Sequence, residues 1–116
     1  MRLVILDRDG VINEDSDAYI KTPDEWRPIP GSLEAVARLH QAGYKIFVLT
    51  NQSGLARKLF DMDMLNRIHQ KMIDAVRHKG GEIDGVLFCP HGPDAGCACR
   101  KPGAGLFLEL AERLKI

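Results

Sequence analysis

Leu3-Val4-Ile5-Leu6-Asp7-Arg8-Asp9-Gly10 decides the architecture. The first four residues are apolar on both faces, as a short strand buried inside a parallel sheet requires. The run stops at two aspartates one residue apart, and Gly10 supplies a turn. Side chains alternate along an extended chain, so Asp7 and Asp9 are aimed at one spot beyond the strand end. In open α/β sheets that is where ligands collect. Two converging carboxylates suit a hard cation such as Mg²⁺, and one of them can serve as a covalent nucleophile. The alternative is an acidic turn with no chemistry. The apolar strand before the pair and Gly10-Val11-Ile12 after it favour the functional reading.

Outward from this point, the pattern repeats. Ser32 is placed to cap a helix whose apolar positions are Leu33, Val36, Ala37 and Leu39, and Gly43 stops it. Lys45 to Leu49 reads as a second buried strand, ending at Thr50-Asn51-Gln52-Ser53-Gly54. Asp61 or Asp63 starts a second helix, with Met64, Leu65, Ile68, Met72, Ile73 and Val76 at helical spacing. Ile83 to Phe88 reads as a third strand running into Cys89, and Leu106 to Leu114 as a last helix with Leu106, Phe107, Leu110 and Leu114 inward. Strand and helix alternate three times, which predicts a Rossmann-like α/β fold, a parallel sheet covered on both faces. His40, His69 and His78 fall in helical stretches and read as surface residues. Trp26 and Tyr19 read as packing residues, with the lining of a substrate mouth as the alternative.

Length and charge narrow the function. The chain has 116 residues, 45% of them apolar, with 16 basic and 16 acidic side chains. That predicts one domain spanning 1–116 with a modest core, and argues against general attraction to nucleic acid or an anionic membrane. No apolar stretch approaches a membrane span, so a cytoplasmic protein is expected.

Three neutral or basic groups of residues follow strand ends, as the aspartates do. Thr50, Asn51, Gln52 and Ser53 offer hydroxyls and amides of the kind that hold phosphate oxygens, though T-N-x-S-G is also ordinary loop composition. All three cysteines lie in one loop: Cys89, Cys97 and Cys99 join His91 as the donor set of a four-coordinate structural Zn²⁺. A loop staple over 89–99 is the expectation. Incidental cysteines or a strained Cys97–Cys99 disulfide are the alternatives. Arg100 and Lys101 follow immediately, and a rigid loop would fix where these cations point. A solvated basic pair is the alternative.

Jointly, Asp7-Arg8-Asp9-Gly10-Val11-Ile12-Asn13, Thr50-Asn51-Gln52-Ser53-Gly54 and Cys99-Arg100-Lys101-Pro102 resemble the first three motifs of the haloacid dehalogenase (HAD) superfamily of phosphatases. The Cys-x-His…Cys-x-Cys insert is similar to that of the D-glycero-D-manno-heptose bisphosphate phosphatases and their histidinol-phosphatase relatives, as are Asn13-Glu14-Asp15 and Tyr19-Ile20-Lys21. The resemblance implies a HAD-like, capless domain. Asp7 would be the nucleophile and Asp9 the general acid and base, with Mg²⁺ on the Asp7 carboxylate and the Asp9 main-chain carbonyl. Thr50, Asn51, Arg100 and Lys101 would cradle the phosphoryl group, and Asp15, Ser16, Asp17, Ala18, Gln52 and Ser53 would lie near the sugar. The substrate implied is a heptose 1,7-bisphosphate losing its C7 phosphate, a step toward the lipopolysaccharide core or nucleotide-activated heptose. Histidinol phosphate is the enzymatic alternative, and a non-catalytic zinc-stabilised interaction module the other.

The resemblance also implies a fourth motif on a further strand, with acidic Mg²⁺ ligands. After Lys101 the only carboxylates are Glu109 and Glu112, on a helix. The expectation is therefore a chain whose C-terminal strands are missing, weakened or inactive in catalysis, with Leu3 to Leu6 as an exposed edge open to self-association. Gly103-Ala104-Gly105 stands where relatives often carry a further Lys or Pro.

Overall fold

The computed structural model describes residues 2–92 and 95–116. Its centre is a three-stranded parallel sheet of β1 (Leu3–Leu6), β2 (Lys45–Asn51) and β3 (Gly85–Cys89), in the order β1-β2-β3. The helices are α1 (Ser32–Gln41), α2 (Met62–His78) and α3 (Gly105–Leu114), and a single 3-10 turn lies at Pro23–Glu25. The register runs from Leu3 opposite Lys45 to Asn51 opposite Cys89. All three strands therefore end at one rim.

Alternation along β2 explains the layers. Ile46 and Val48 point to one face and join Leu33 and Val36 of α1 with Ile68, Met72 and Val76 of α2. Phe47 and Leu49 point to the other and join Leu87, Leu106 and Leu110 under α3. Burying each such aliphatic side chain contributes roughly 1.5–3 kcal/mol, so the central strand, apolar on both sides, locks the three layers together. Phe47 lies across Gly85, where a Cβ would sit 2.8 Å from its ring. Only glycine starts β3 without displacing that ring.

Local signals set the boundaries. The Asp61 carboxylate caps α2 by accepting from Met64 N–H at 2.8 Å, a bond that contributes about 1 kcal/mol. Gly43 ends α1 at φ +92°, a conformation costly for other residues. Ser32 does not cap α1. Gly31 holds that position, and Ser32 Oγ donates to the Ile12 carbonyl at 2.7 Å, tying the loop after β1 to the helix start. Phe107 is not inward but 42% exposed, because Leu106 and Leu110 already fill the α3 face. His69 is buried at 7% exposure, unlike the exposed His40 and His78. Trp26 is fully buried, as a packing residue should be. No described helix is long and apolar enough to cross a membrane.

Candidate active site

The loop after β1 is organised by Arg8. Its carbonyl accepts from Val11, Ile12 and Asn13 N–H, which turns the chain back on itself at Gly10. Its side chain is wholly buried, and Nε donates to Asp9 Oδ1 at 2.8 Å. Asn13 Nδ2 donates to the same oxygen at 3.0 Å, and Gln52 Nε2 donates to Asp9 Oδ2 at 3.2 Å. Gln52 also donates to Thr50 Oγ1 at 2.9 Å. Asp9 is thereby fastened to the tip of β2.

Asp7 is fastened to the loop before α3. Lys101 Nζ donates to Asp7 Oδ1 at 2.9 Å and to the Leu49 carbonyl at 2.7 Å. The Arg8 N–H donates to the same Asp7 oxygen at 2.9 Å. Asn51 Oδ1 accepts from Lys101 N–H at 2.9 Å, while Asn51 Nδ2 donates to the Lys101 carbonyl at 3.1 Å. Asp7, Asp9, Thr50, Asn51, Gln52 and Lys101 thus form one connected group at the strand ends. Among the described residues, neither Asp7 Oδ2 nor the Asp9 main-chain carbonyl accepts a hydrogen bond. Two hard oxygens left without a hydrogen-bond donor at the end of β1 are of the type that binds Mg²⁺.

Other predicted residues sit apart from this group. Arg100 turns away and donates through Nη1 to the His91 carbonyl at 3.3 Å. With Gly92, Gly96, Cys97, Lys101 and Pro102 it lines a cavity of about 200 Å³. Ser53 is buried behind the β2 tip. Asp15, Ser16, Asp17 and Ala18 are exposed and form their own turn, in which Ser16 N–H donates to Asp15 Oδ1 and Ala18 N–H to Ser16 Oγ. No described hydrogen bond joins them to the aspartates. Arg57 lies over the Tyr19 ring at 5.7 Å, next to that turn.

Cys89, His91, Cys97 and Cys99 converge, their ligand atoms all within 4.8 Å of one another. The Cys89 and Cys97 sulfurs are 3.5 Å apart, and His91 Nδ1 lies 3.3 Å from Cys99 Sγ and 3.5 Å from Cys89 Sγ. A tetrahedron with Zn–S bonds of about 2.3 Å has edges of roughly 3.5–3.8 Å, so the donor set fits zinc with no position left over. The cysteines are free thiols, which excludes the disulfide alternative in this structure. Burial opposes charge on Cys97, but hydrogen bonds from the Arg100 main chain, Cys89, Cys99 and His91 outweigh it and bring that thiol down to about 6. Burial, then the neighbouring Cys89 and Cys97, push Cys99 up to about 12. A divalent cation relieves such crowding of sulfurs. The part of this loop at 93–94 lies outside the described residues.

His69 and the burial of Arg8 escape a reading by residue type. Histidines on helices are commonly solvated, yet His69 falls four residues after Leu65 and three before Met72, on the buried stripe of α2. That spacing is the signal that identifies it.

The sequence profile of the family described as polynucleotide kinase 3 phosphatase matches residues 2–116. The D-glycero-beta-D-manno-heptose-1,7-bisphosphate 7-phosphatase of Bordetella bronchiseptica is 57% identical over 116 residues, covering 100% of this chain and 65% of its own. Its counterpart from Pseudomonas aeruginosa is 56% identical over 110 residues, covering 95% and 62%. The crystal structure of the B. bronchiseptica D,D-heptose 1,7-bisphosphate phosphatase, complexed with magnesium and phosphate, superposes with a TM-score of 0.97 over 100% of this chain and 65% of that one, at 57% identity. The chain thus spans a little under two thirds of these relatives. Sequence, fold and the joined aspartate, amide and lysine group agree, and the chain belongs to the polynucleotide kinase 3 phosphatase family of HAD phosphatases, on the branch of the heptose bisphosphate phosphatases.

Proposed function

We propose that this chain carries the catalytic machinery of a phosphatase that removes the C7 phosphate of D-glycero-β-D-manno-heptose 1,7-bisphosphate through an aspartyl-phosphate on Asp7. The observation that carries the reading is Asp7 held by Lys101, whose backbone is in turn gripped by Asn51. The choice of a heptose over histidinol rests on relatives of that name at 57% and 56% identity.

An oxygen of Asp7 attacks phosphorus in line with the leaving sugar oxygen. Asp9 gives that oxygen a proton, then takes one from the water that cleaves the acyl phosphate. Asn51 and Lys101 offer an amide and an ammonium to the transferring phosphoryl oxygens, and Thr50 shapes the floor beneath them. Arg100 would meet substrate only by turning back from the His91 carbonyl, and the exposed Asp15–Ala18 turn would border the sugar. Asp7 and the Asp9 carbonyl would hold Mg²⁺, which offsets phosphate charge when bound. Cys89, His91, Cys97 and Cys99 would hold Zn²⁺, which when bound would fix the loop that presents Lys101. The thiol ligands favour the reducing cytoplasm as the place of action.

Phosphate release from a panel of sugar bisphosphates and histidinol phosphate, with Mg²⁺ present, tests this. The heptose bisphosphate should give the highest kcat/KM, and Asp7→Asn should abolish turnover. Full turnover by Asp7→Asn, or binding activity without phosphate release, would favour the interaction module instead.

The edge of β1 bears on assembly. Among the described residues β1 pairs only with β2, and Ile5 is 37% exposed. An open edge of this kind pairs with a further strand or a second copy. Light scattering on the 116-residue chain distinguishes these, since a monomer at all concentrations speaks against self-association.

A further inference from the structure

The Asp9 carboxylate is held unevenly. Oδ1 receives Arg8 Nε and Asn13 Nδ2, and Arg8 Nη2 also lies 2.8 Å away, close enough to pair by charge though poorly directed for a hydrogen bond. Among the described residues, Oδ2 receives only Gln52 Nε2. Each carboxylate oxygen has two lone-pair sites, so Oδ1 is saturated and Oδ2 keeps one site open.

The guanidinium that saturates Oδ1 is itself fixed from behind. Arg8 Nη1 lies 3.1 Å from His69 Nε2, on the middle of α2. A guanidinium has donors only and keeps its charge. Nη1 must therefore donate and His69 Nε2 accept, which makes the ring the neutral tautomer protonated on Nδ1. The surroundings agree. Burial first, and the Arg8 charge second, hold the imidazolium pKa down to about 3, against a weaker upward pull from Asp9.

We propose that His69 is a positioning residue, which by accepting from Arg8 Nη1 fixes the guanidinium plane against Asp9 Oδ1 and leaves Asp9 Oδ2 as the oxygen that carries the proton. This rests on the phosphatase reading. In the first step the O–H bond at Oδ2 breaks and its proton passes to the bridging sugar oxygen. Meanwhile the P–O bond breaks and an Asp7 oxygen bonds to phosphorus, leaving Asp9 as a carboxylate. In the second step Oδ2 takes a proton from water while the water oxygen bonds to phosphorus and Asp7 departs. A guanidinium free to rotate would release Oδ1, and the carboxylate would turn without a preferred oxygen facing the leaving group.

The leaving group provides the test. A sugar alkoxide needs a proton to depart, whereas 4-nitrophenolate does not. His69→Ala should lower kcat/KM on the sugar phosphate by about tenfold or more, part of the ~10²–10⁴ that general acid catalysis supplies. On 4-nitrophenyl phosphate it should fall less than about threefold on the same ground. His69→Gln places an amide oxygen within reach of Nη1 and should recover most of the loss. Should the alanine variant fold poorly, His69→Leu fills the space without an acceptor and replaces it. Equal losses on both substrates, or no loss on either, would overturn the proposal. Nitrogen NMR of the imidazole reads the geometry without turnover: His69 should carry its proton on Nδ1 at neutral pH, and the opposite tautomer or an imidazolium would also overturn it. Failure of the phosphatase reading shows separately, as an unmodified chain that releases phosphate from neither substrate.

Discussion

The Asn51 side chain grips the main chain of Lys101, fifty residues further on, accepting from its N–H at 2.9 Å and donating to its carbonyl at 3.1 Å. The amide at the end of β2 thereby sets the height of the lysine backbone, and the lysine side chain then reaches Asp7. Asn51→Ala removes both bonds. The expected cost is about 1–2 kcal/mol of stability and at least a tenfold loss, roughly, in kcat/KM from misplacing Lys101. Denaturant melts and steady-state kinetics read the two effects separately. Asn51→Asp keeps an acceptor for Lys101 N–H but brings negative charge toward the phosphoryl group, so it should retain more stability than Asn51→Ala and less activity.

Zinc removal should act on the same lysine from the other side. Cys97 and Cys99 close the loop that delivers Arg100 and Lys101. A chelator strong enough to strip the metal should lower Tm, expose all three cysteines to a thiol reagent, and depress turnover in parallel. Elemental analysis should find one zinc per chain. Unchanged melting in the chelator, with no zinc detected, would count against the site.

Acid should destabilise the fold through His69. Its pKa is 6.5 when unfolded and about 3 when folded. Between these values the unfolded chain binds a proton that the folded chain refuses. The stabilisation is therefore complete above about pH 6.5 and is lost progressively as pH falls toward 3. From pH 7 to 5 the loss is at most about 2 kcal/mol. His69→Gln cannot titrate, so its melting temperature should drop less than the wild type's over that interval. Parallel drops would contradict the burial argument.

Gly105 should tolerate no side chain. A Cβ there would lie 2.5 Å from the Ala98 carbonyl oxygen, and its own N–H donates to that oxygen at 2.8 Å. The obstacle is backbone, which cannot swing aside. Gly105→Ala should cost about 1–3 kcal/mol and shift the metal loop against α3, lowering Tm and zinc affinity together. Among the described residues, a Cβ at Gly92 meets nothing within 4 Å, so Gly92→Ala is the control.

The alternation of strand and helix was legible because periodicity reports burial directly. Leu3–Leu6, Lys45–Asn51 and the stripe along α2 are apolar where the layers touch. The rim position of Asp7, Asp9, Thr50, Asn51 and Lys101 followed from strand ends alone. What escaped depended on contacts between distant segments. The role of Ser32 was hidden because its hydroxyl serves Ile12 instead of its own helix. His69 looked like a solvated helical histidine because its partner, Arg8, lies 61 residues away. Arg100 and Lys101 read as a matched pair, yet adjacent side chains leave a backbone in different directions, and only Lys101 reaches an aspartate.

Asn51 and Cys89 are rung partners in the parallel ladder of β2 and β3. The grip on Lys101 and the first thiol of the metal cluster are consequently spaced by the pitch between neighbouring strands, about 4.7–4.9 Å. Insertions or deletions in the loop between Cys89 and Lys101 can reshape the mouth of the pocket without altering that interval. Only a slip of the whole ladder would change it, and such a slip would invert every core side chain of β3 at the same time.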